Sequence, residues 1–107
     1  DYVGQLSKFI KRGGSREGQI VDRLLFAAMI EARSCERFKM LSERISDPDL
    51  AEFYRELMIS EAGHYTTFLK LARKYGGSID VDARWKECLD FEAAIIQNYG
   101  KKETIHG

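Results

Sequence analysis

An all-α fold follows from three features of the 107-residue sequence. Apolar residues recur at alternating steps of four and three through both central stretches, the stripe of a helix packed on another helix. Proline occurs once. Alternating β-branched runs, the mark of half-buried strands, are absent. These features predict a single all-α domain over residues 1–107: a long antiparallel helix pair with two shorter helices flanking it.

The elements follow in chain order. Asp1 to about Arg12 is amphipathic, with Val3, Leu6, Phe9 and Ile10 on one side, and Gly13-Gly14-Ser15-Arg16-Glu17-Gly18 breaks it. A long helix from about Gln19 to Ile45 carries the stripe Leu24, Ala28, Glu31, Cys35, Phe38 and Leu41. Ser46-Asp47-Pro48 stops that helix and starts the next, with Asp47 as N-cap and Pro48 as first helical residue. The new stripe is Leu50, Tyr54, Leu57, Glu61, His64, Phe68, Leu71 and Tyr75, ended by Gly76-Gly77. Asp80 caps a last helix, about Val81 to Asn98. Its favoured apolar side is Trp85, Cys88, Leu89, Phe91, Ile95 and Ile96, which leaves Glu92 at the edge. A competing stripe through Val81, Trp85, Cys88, Glu92, Ile95 and Tyr99 would turn Glu92 inward. The polar tail from Gly100 to Gly107 is expected to be loosely held.

Composition narrows the function classes. The formal net charge is zero, so there is no global attraction to nucleic acid or membrane. No apolar run approaches the roughly 20 residues of a membrane span, and no export signal opens the chain. Cys35 and Cys88 are therefore expected as reduced thiols in a cytoplasmic protein. The first residue is Asp1 rather than Met, so a longer protein is a possibility to carry forward. Lys8, Lys11, Arg12, Arg16 and Arg23 gather around the first loop, with Arg33 and Arg37 one turn apart further on. The first cluster is a candidate phosphate contact, and an ordinary solvated face explains it equally well.

The chemistry lies in carboxylates placed where leucines belong. Glu17, Glu36, Glu43, Glu52, Glu56, Glu87 and Glu103 fall off the stripes or in loops, where charge is cheap. Glu31 falls between Ala28 and Cys35 on its stripe. Glu61 and His64 fall between Leu57 and Phe68, three residues apart and so on one face. An inward carboxylate is costly without a compensating partner, and a metal ion is one. Register supports the grouping: Glu31 lies about 16 residues before the turn and Glu61 about 13 after it. At about 1.5 Å per residue both sit roughly 20–24 Å from the hairpin end. Tyr54 and Cys35 are candidates for the surrounding shell, Tyr65 should pack sideways, and Asp22 lies too far from Glu31 to join it. Carboxylate-bridged di-iron bundles take one Glu from each of two helices and Glu-x-x-His from each of two others. This chain supplies one of each kind, half of such a set, and carboxylate with imidazole suits Fe(II) or Mn(II).

The residues Ile30-Glu31-Ala32-Arg33-Ser34-Cys35-Glu36-Arg37-Phe38, Phe53-Tyr54-Arg55 and Ser60-Glu61-Ala62-Gly63-His64-Tyr65 resemble a known family. With Val21 to Leu25 and Phe91 to Ile96, they look like the C-terminal half of the MiaE-type tRNA hydroxylases, ferritin-like non-haem di-iron monooxygenases. The resemblance implies hydroxylation of the isopentenyl side chain of 2-methylthio-isopentenyladenosine beside the tRNA anticodon. Two iron ions, dioxygen and two electrons from a reductase system would serve that reaction. It further implies Glu31 as a terminal carboxylate, Glu61 as a bridging one and His64 as an imidazole ligand. Gly63 stands where the family often has a bulky basic residue, and the ending Thr104-Ile105-His106-Gly107 departs from the family's usual one, which removes support for a role of His106. The family's first Glu helix and first Glu-x-x-His helix have no counterpart here. An upstream half or a second copy across a two-fold interface would complete the site. One isolated copy should be incompetent as an oxygenase and should leave two helix stripes uncovered. Two other readings fit the pattern alone: a ferritin-like iron-binding or iron-oxidising protein built from two-helix units, and a metal-free helical interaction module.

Overall fold

The computed structural model describes residues 1–10 and 13–106, with side chains as far as residue 100. Four helices follow one another: α1 (Tyr2–Ser7), α2 (Arg16–Arg44), α3 (Pro48–Tyr75) and α4 (Val81–His106). No strand occurs among the described residues, and none of the helices is long and apolar enough to cross a membrane.

Capping chemistry sets most boundaries. Asp1 accepts from the Gly4 amide to start α1, which ends at Ser7, well short of the expected Arg12. There the amides of Lys8, Phe9 and Ile10 turn to carbonyls three residues back, tightening the chain ahead of the glycine pair. Lys11 and Arg12 lie outside the described residues. Helix α2 begins at Arg16 instead of Gln19, because Ser15 accepts from the Gly18 amide and converts the expected breaker into a cap. Asp47 accepts from the amides of Asp49 and Leu50, with Pro48 as the first residue of α3, as the sequence predicts. Gly76 caps the far end, and Gly77 follows at φ +58°, a backbone region glycine enters freely. Helix α4 runs on to His106, past the predicted stop at Asn98. A single interior glycine costs about 1 kcal/mol, and the Lys101, Lys102 and Glu103 that follow are good helix formers. The side chain of His106, and Gly107 entirely, lie outside the described residues.

Helices α2 and α3 form the antiparallel hairpin. Phe38 meets Tyr54, Cys35 meets the Met58 carbonyl and Glu31 meets His64, so numbers fall on one helix as they rise on the other. The hairpin is packed most tightly away from its turn, where Val21, Leu25 and Ala28 of α2 close on Leu69 and Ala72 of α3 and on Val81. A second cluster joins Leu6, Phe9, Met29, Cys88 and Ile95, docking α1 and α4 on one side of α2. The expected stripes are only partly covered: Leu50, His64 and Tyr75 are exposed, and most of the other stripe residues are half-buried. Both cysteines are free, and burial pushes the Cys88 thiol up to about 11.

The expected edge position of Glu92 is corrected by the structure. Glu92 is 2% exposed, whereas Leu89 and Ile96 of the favoured stripe face solvent. The competing stripe turns inward because Arg33 and Tyr2 offer the carboxylate partners there. Arg33 Nε donates to Glu92 Oε2 at 2.7 Å and Nη2 to Oε1 at 2.5 Å, while the Tyr2 hydroxyl donates to Oε2 at 2.5 Å. Nη1 of the same guanidinium reaches Glu36. A second pair braces the other end of α4: Asp22, 1% exposed, receives Arg84 through Nε at 2.7 Å and Nη2 at 2.9 Å. Arg84 also donates to the Phe9 carbonyl and covers the Phe9 ring, so one side chain ties the turn after α1 to α2 and α4.

Two outcomes are expected. Burial pushes the Glu92 carboxyl up, but the hydrogen bonds from Arg33 and Tyr2 and the guanidinium charge outweigh it, so the folded value lies below the ordinary one. Such a group contributes stability above the unfolded value of about 4.3 and loses it as pH falls through the folded value. Glu92→Gln should therefore be less stable than the parent at pH 7, with the gap narrowing below about pH 4, as read by urea unfolding at both pH values. At Gly63, a Cβ would meet nothing within 4 Å. Gly63→Ala should raise the unfolding free energy by about 0.5–1 kcal/mol, the helix-interior difference between the two residues.

Candidate metal centre

Glu31 reaches the site from α2, and Glu61 and His64 reach it from neighbouring turns of α3. His64 Nδ1 lies 3.7 Å from Glu31 Oε2 and 3.9 Å from Glu61 Oε2. One donor atom from each residue falls within 4.8 Å of the others. The side chains of Glu31 and Glu61 are 24% and 21% exposed, and His64 is 58% exposed, so the cluster sits in the uncovered face rather than inside a core. The sequence expectation of a buried stripe is corrected here: α1 and α4 pack against the other side of α2.

A cation fits this arrangement. Glu31 Oε2 is shut off from solvent and receives no hydrogen bond, an arrangement that costs free energy unless another partner supplies the positive charge. Arg33, two residues on, does not supply it, because its guanidinium is engaged by Glu92 and Glu36. A first-row ion about 2.0–2.2 Å from each donor would hold the donors roughly 3–3.6 Å apart. The observed separations of 3.7 and 3.9 Å from His64 Nδ1 are slightly longer than that. Two carboxylates and an imidazole match Fe(II), Mn(II) or Zn(II) better than softer metals.

The remaining sequence candidates divide. Tyr54 stacks on Phe38 at 6.0 Å and meets Phe53 edge-on at 5.5 Å, an aromatic group nearer the hairpin turn. The Cys35 thiol donates to the Met58 carbonyl at 3.5 Å and lines a groove of about 480 Å³ with Ala32, Ala62 and Tyr65. Tyr65 packs sideways as expected, 6.0 Å from Trp85. Lys8, Arg16 and Arg23 are exposed. Two groups escaped sequence reasoning, the Arg84–Asp22 brace and the Tyr2–Glu92–Arg33 cluster. The sequence carries a signal for the second, since Val81, Cys88, Glu92 and Ile95 share a helical face.

The matching family model spans residues 1–107 and is described as tRNA-(MS[2]IO[6]A)-hydroxylase (MiaE). The chain belongs to the MiaE family. A curated MiaE relative from Pseudomonas putida KT2440, named tRNA 2-(methylsulfanyl)-N(6)-isopentenyladenosine(37) hydroxylase, is 49% identical over 89 residues. That match takes in 82% of this chain and 42% of the relative. A second relative, of the same name and from Salmonella typhimurium LT2, is 39% identical over 87 residues, covering 81% of this chain and 32% of its own length. The chain thus spans less than half the length of either MiaE relative. No solved structure matches it significantly.

The centre makes a direct prediction. Glu61→Ala should abolish stoichiometric Fe(II) binding measured anaerobically, whereas Glu36→Ala, on a surface carboxylate turned to Arg33, should retain it. Equal loss in both would place the binding elsewhere.

Proposed function

We propose that this chain supplies Glu31, Glu61 and His64 to the non-haem di-iron centre of a tRNA hydroxylase acting on the isopentenyl side chain of a 2-methylthio-adenosine beside the anticodon. The observation that carries the reading is that Glu31 Oε2, buried and without a hydrogen bond, lies beside Glu61 and His64 in a chain of the MiaE family. The names of the two relatives support the substrate. In the reaction one atom of dioxygen enters a C–H bond of the side chain. The other leaves as water, with two electrons from a reductase and two protons. Bound iron supplies the capacity to activate dioxygen.

What the chain's own residues contribute is holding. Glu31 and Glu61 provide anionic oxygens that neutralise cationic charge, and His64 provides a neutral nitrogen donor. Leu57 and Phe68 lie one turn either side of the Glu61–His64 pair on α3 and are half-buried apolar neighbours in sequence of the two donors. Further donors come from protein beyond these three residues, either additional helices of the same protein or a second copy. An exposed cluster with an open face suits such completion. Exposed Lys8, Arg16 and Arg23 offer phosphate contacts to the tRNA.

The test uses protein expressed from its native gene, loaded anaerobically with Fe(II). Given reductant, dioxygen and an anticodon stem-loop carrying 2-methylthio-isopentenyladenosine, it should bind two irons and release a nucleoside heavier by one oxygen atom. Oxygen consumption without that product would favour an iron-oxidising protein. Failure to bind iron would remove the metal reading altogether.

A further inference from the structure

We infer that Glu92 is a positioning residue for the metal donors, acting through Arg33 on the turn of α2 that carries Glu31. The inference rests on the metal reading above and extends it to a residue on a different helix.

Glu31 cannot fix its own position. Its inner oxygen has no hydrogen-bond partner, so its placement depends on where α2 stands. Toward α3, the α2 residues nearest that level are small, Ala28, Ala32 and Cys35, and the contact made there by Cys35 is a weak thiol bond to the Met58 carbonyl. Packing of α2 on α3 is secured further along, by Val21, Leu25 and Ala28 against Leu69 and Ala72 and by the Phe38–Tyr54 stack. The opposing side of α2 adds a directional constraint at this level. Two nitrogens of Arg33 grip both oxygens of Glu92, a two-point fork that fixes direction as well as distance. Arg33 lies about 3 Å along the helix axis from Glu31. A rotation or slide of α2 at this level would strain the fork.

The fork is itself anchored. The Tyr2 hydroxyl donates to Glu92 Oε2, which brings α1 into the clamp, and Cys88 and Ile95, a turn before and after Glu92, are buried against α1 and α2. An apolar pair would serve stability at least as well as a buried ion pair, so stability alone does not account for one here. In some proteins such a pair is kept because it fixes a unique register. Register at this level of α2 is what a three-donor site needs, because losing partners beyond the ligands commonly weakens metal binding by about 10- to 100-fold.

Cobalt(II) alone is the probe, titrated into protein expressed from its native gene, with its visible absorption bands read alongside affinity. Glu92→Gln keeps the shape and removes the charge that holds the fork. It should weaken Co(II) binding about tenfold and shift the bands. Val81→Ala, which loosens the other end of α4, serves as the control for stability. It should lower the melting temperature while leaving affinity within about twofold and the bands in place. If Glu92→Gln fails to fold, Glu92→Asp, which keeps the charge on a shorter reach, is read by the same criteria. Parental affinity and bands in the Glu92 variant would overturn the inference and leave the metal reading standing. Equal weakening by Val81→Ala would also overturn it, by reducing the effect to general stability. A parent protein that binds no Co(II) would instead sink the metal reading, and this inference with it.

Discussion

The register of the α2–α3 hairpin is the constraint on which the rest of the molecule depends. Asp47 and Pro48 fix the turn, and the turn fixes which residues of α2 face which residues of α3. A slip of one residue would rotate each donor by about 100° around its helix and leave Glu31 facing a different neighbour. The observed register brings Glu31 level with His64, Cys35 with Met58 and Phe38 with Tyr54. Everything that could be chemistry lies along the open edge of that alignment, and the packing that secures it lies along the other.

Charge is divided in the same way. Three of the acidic side chains turned away from solvent, Asp22, Glu92 and Glu31, come to rest in different circumstances. Asp22 and Glu92 each meet an arginine that forks onto both oxygens. Glu31 meets no hydrogen-bond donor at its inner oxygen. The contrast distinguishes two carboxylates held by arginine forks from one whose inner oxygen receives no hydrogen bond and lies 3.7 Å from the His64 imidazole. Arg33 sharpens it, since a guanidinium only two residues from Glu31 is committed elsewhere.

Much of this was legible in the sequence. The two long helices, the Asp47-Pro48 turn and the Gly76 stop could be read from capping chemistry. Glu31, Glu61 and His64 stood out because they replaced leucines on otherwise regular stripes. Glu92 was misplaced because two stripes on α4 were nearly equal in apolar content. The choice between them was made by Arg33 and Tyr2, 59 and 90 residues away, which no local pattern can weigh. The start of α2 was set three residues late because Ser15 looks like part of a flexible loop until its hydroxyl is seen on the Gly18 amide. The half-open state of the donor face was legible only as an arithmetic of helices, one Glu helix and one Glu-x-x-His helix where a full set has two of each.

The contrast between near and distant contacts also orders the assembly of the fold. The donors and the packing between them belong to one helical hairpin, whose contacts join residues close along the chain and carry a small loop-closure cost. The Tyr2–Glu92 bond joins residues 90 apart and closes nearly the whole chain into a loop. A hairpin of this design is expected to bring Glu31, Glu61 and His64 together early, before α1 and α4 dock, and the Tyr2–Glu92 contact to form later. A metal ion present during synthesis would then meet a nascent hairpin already carrying its three donors.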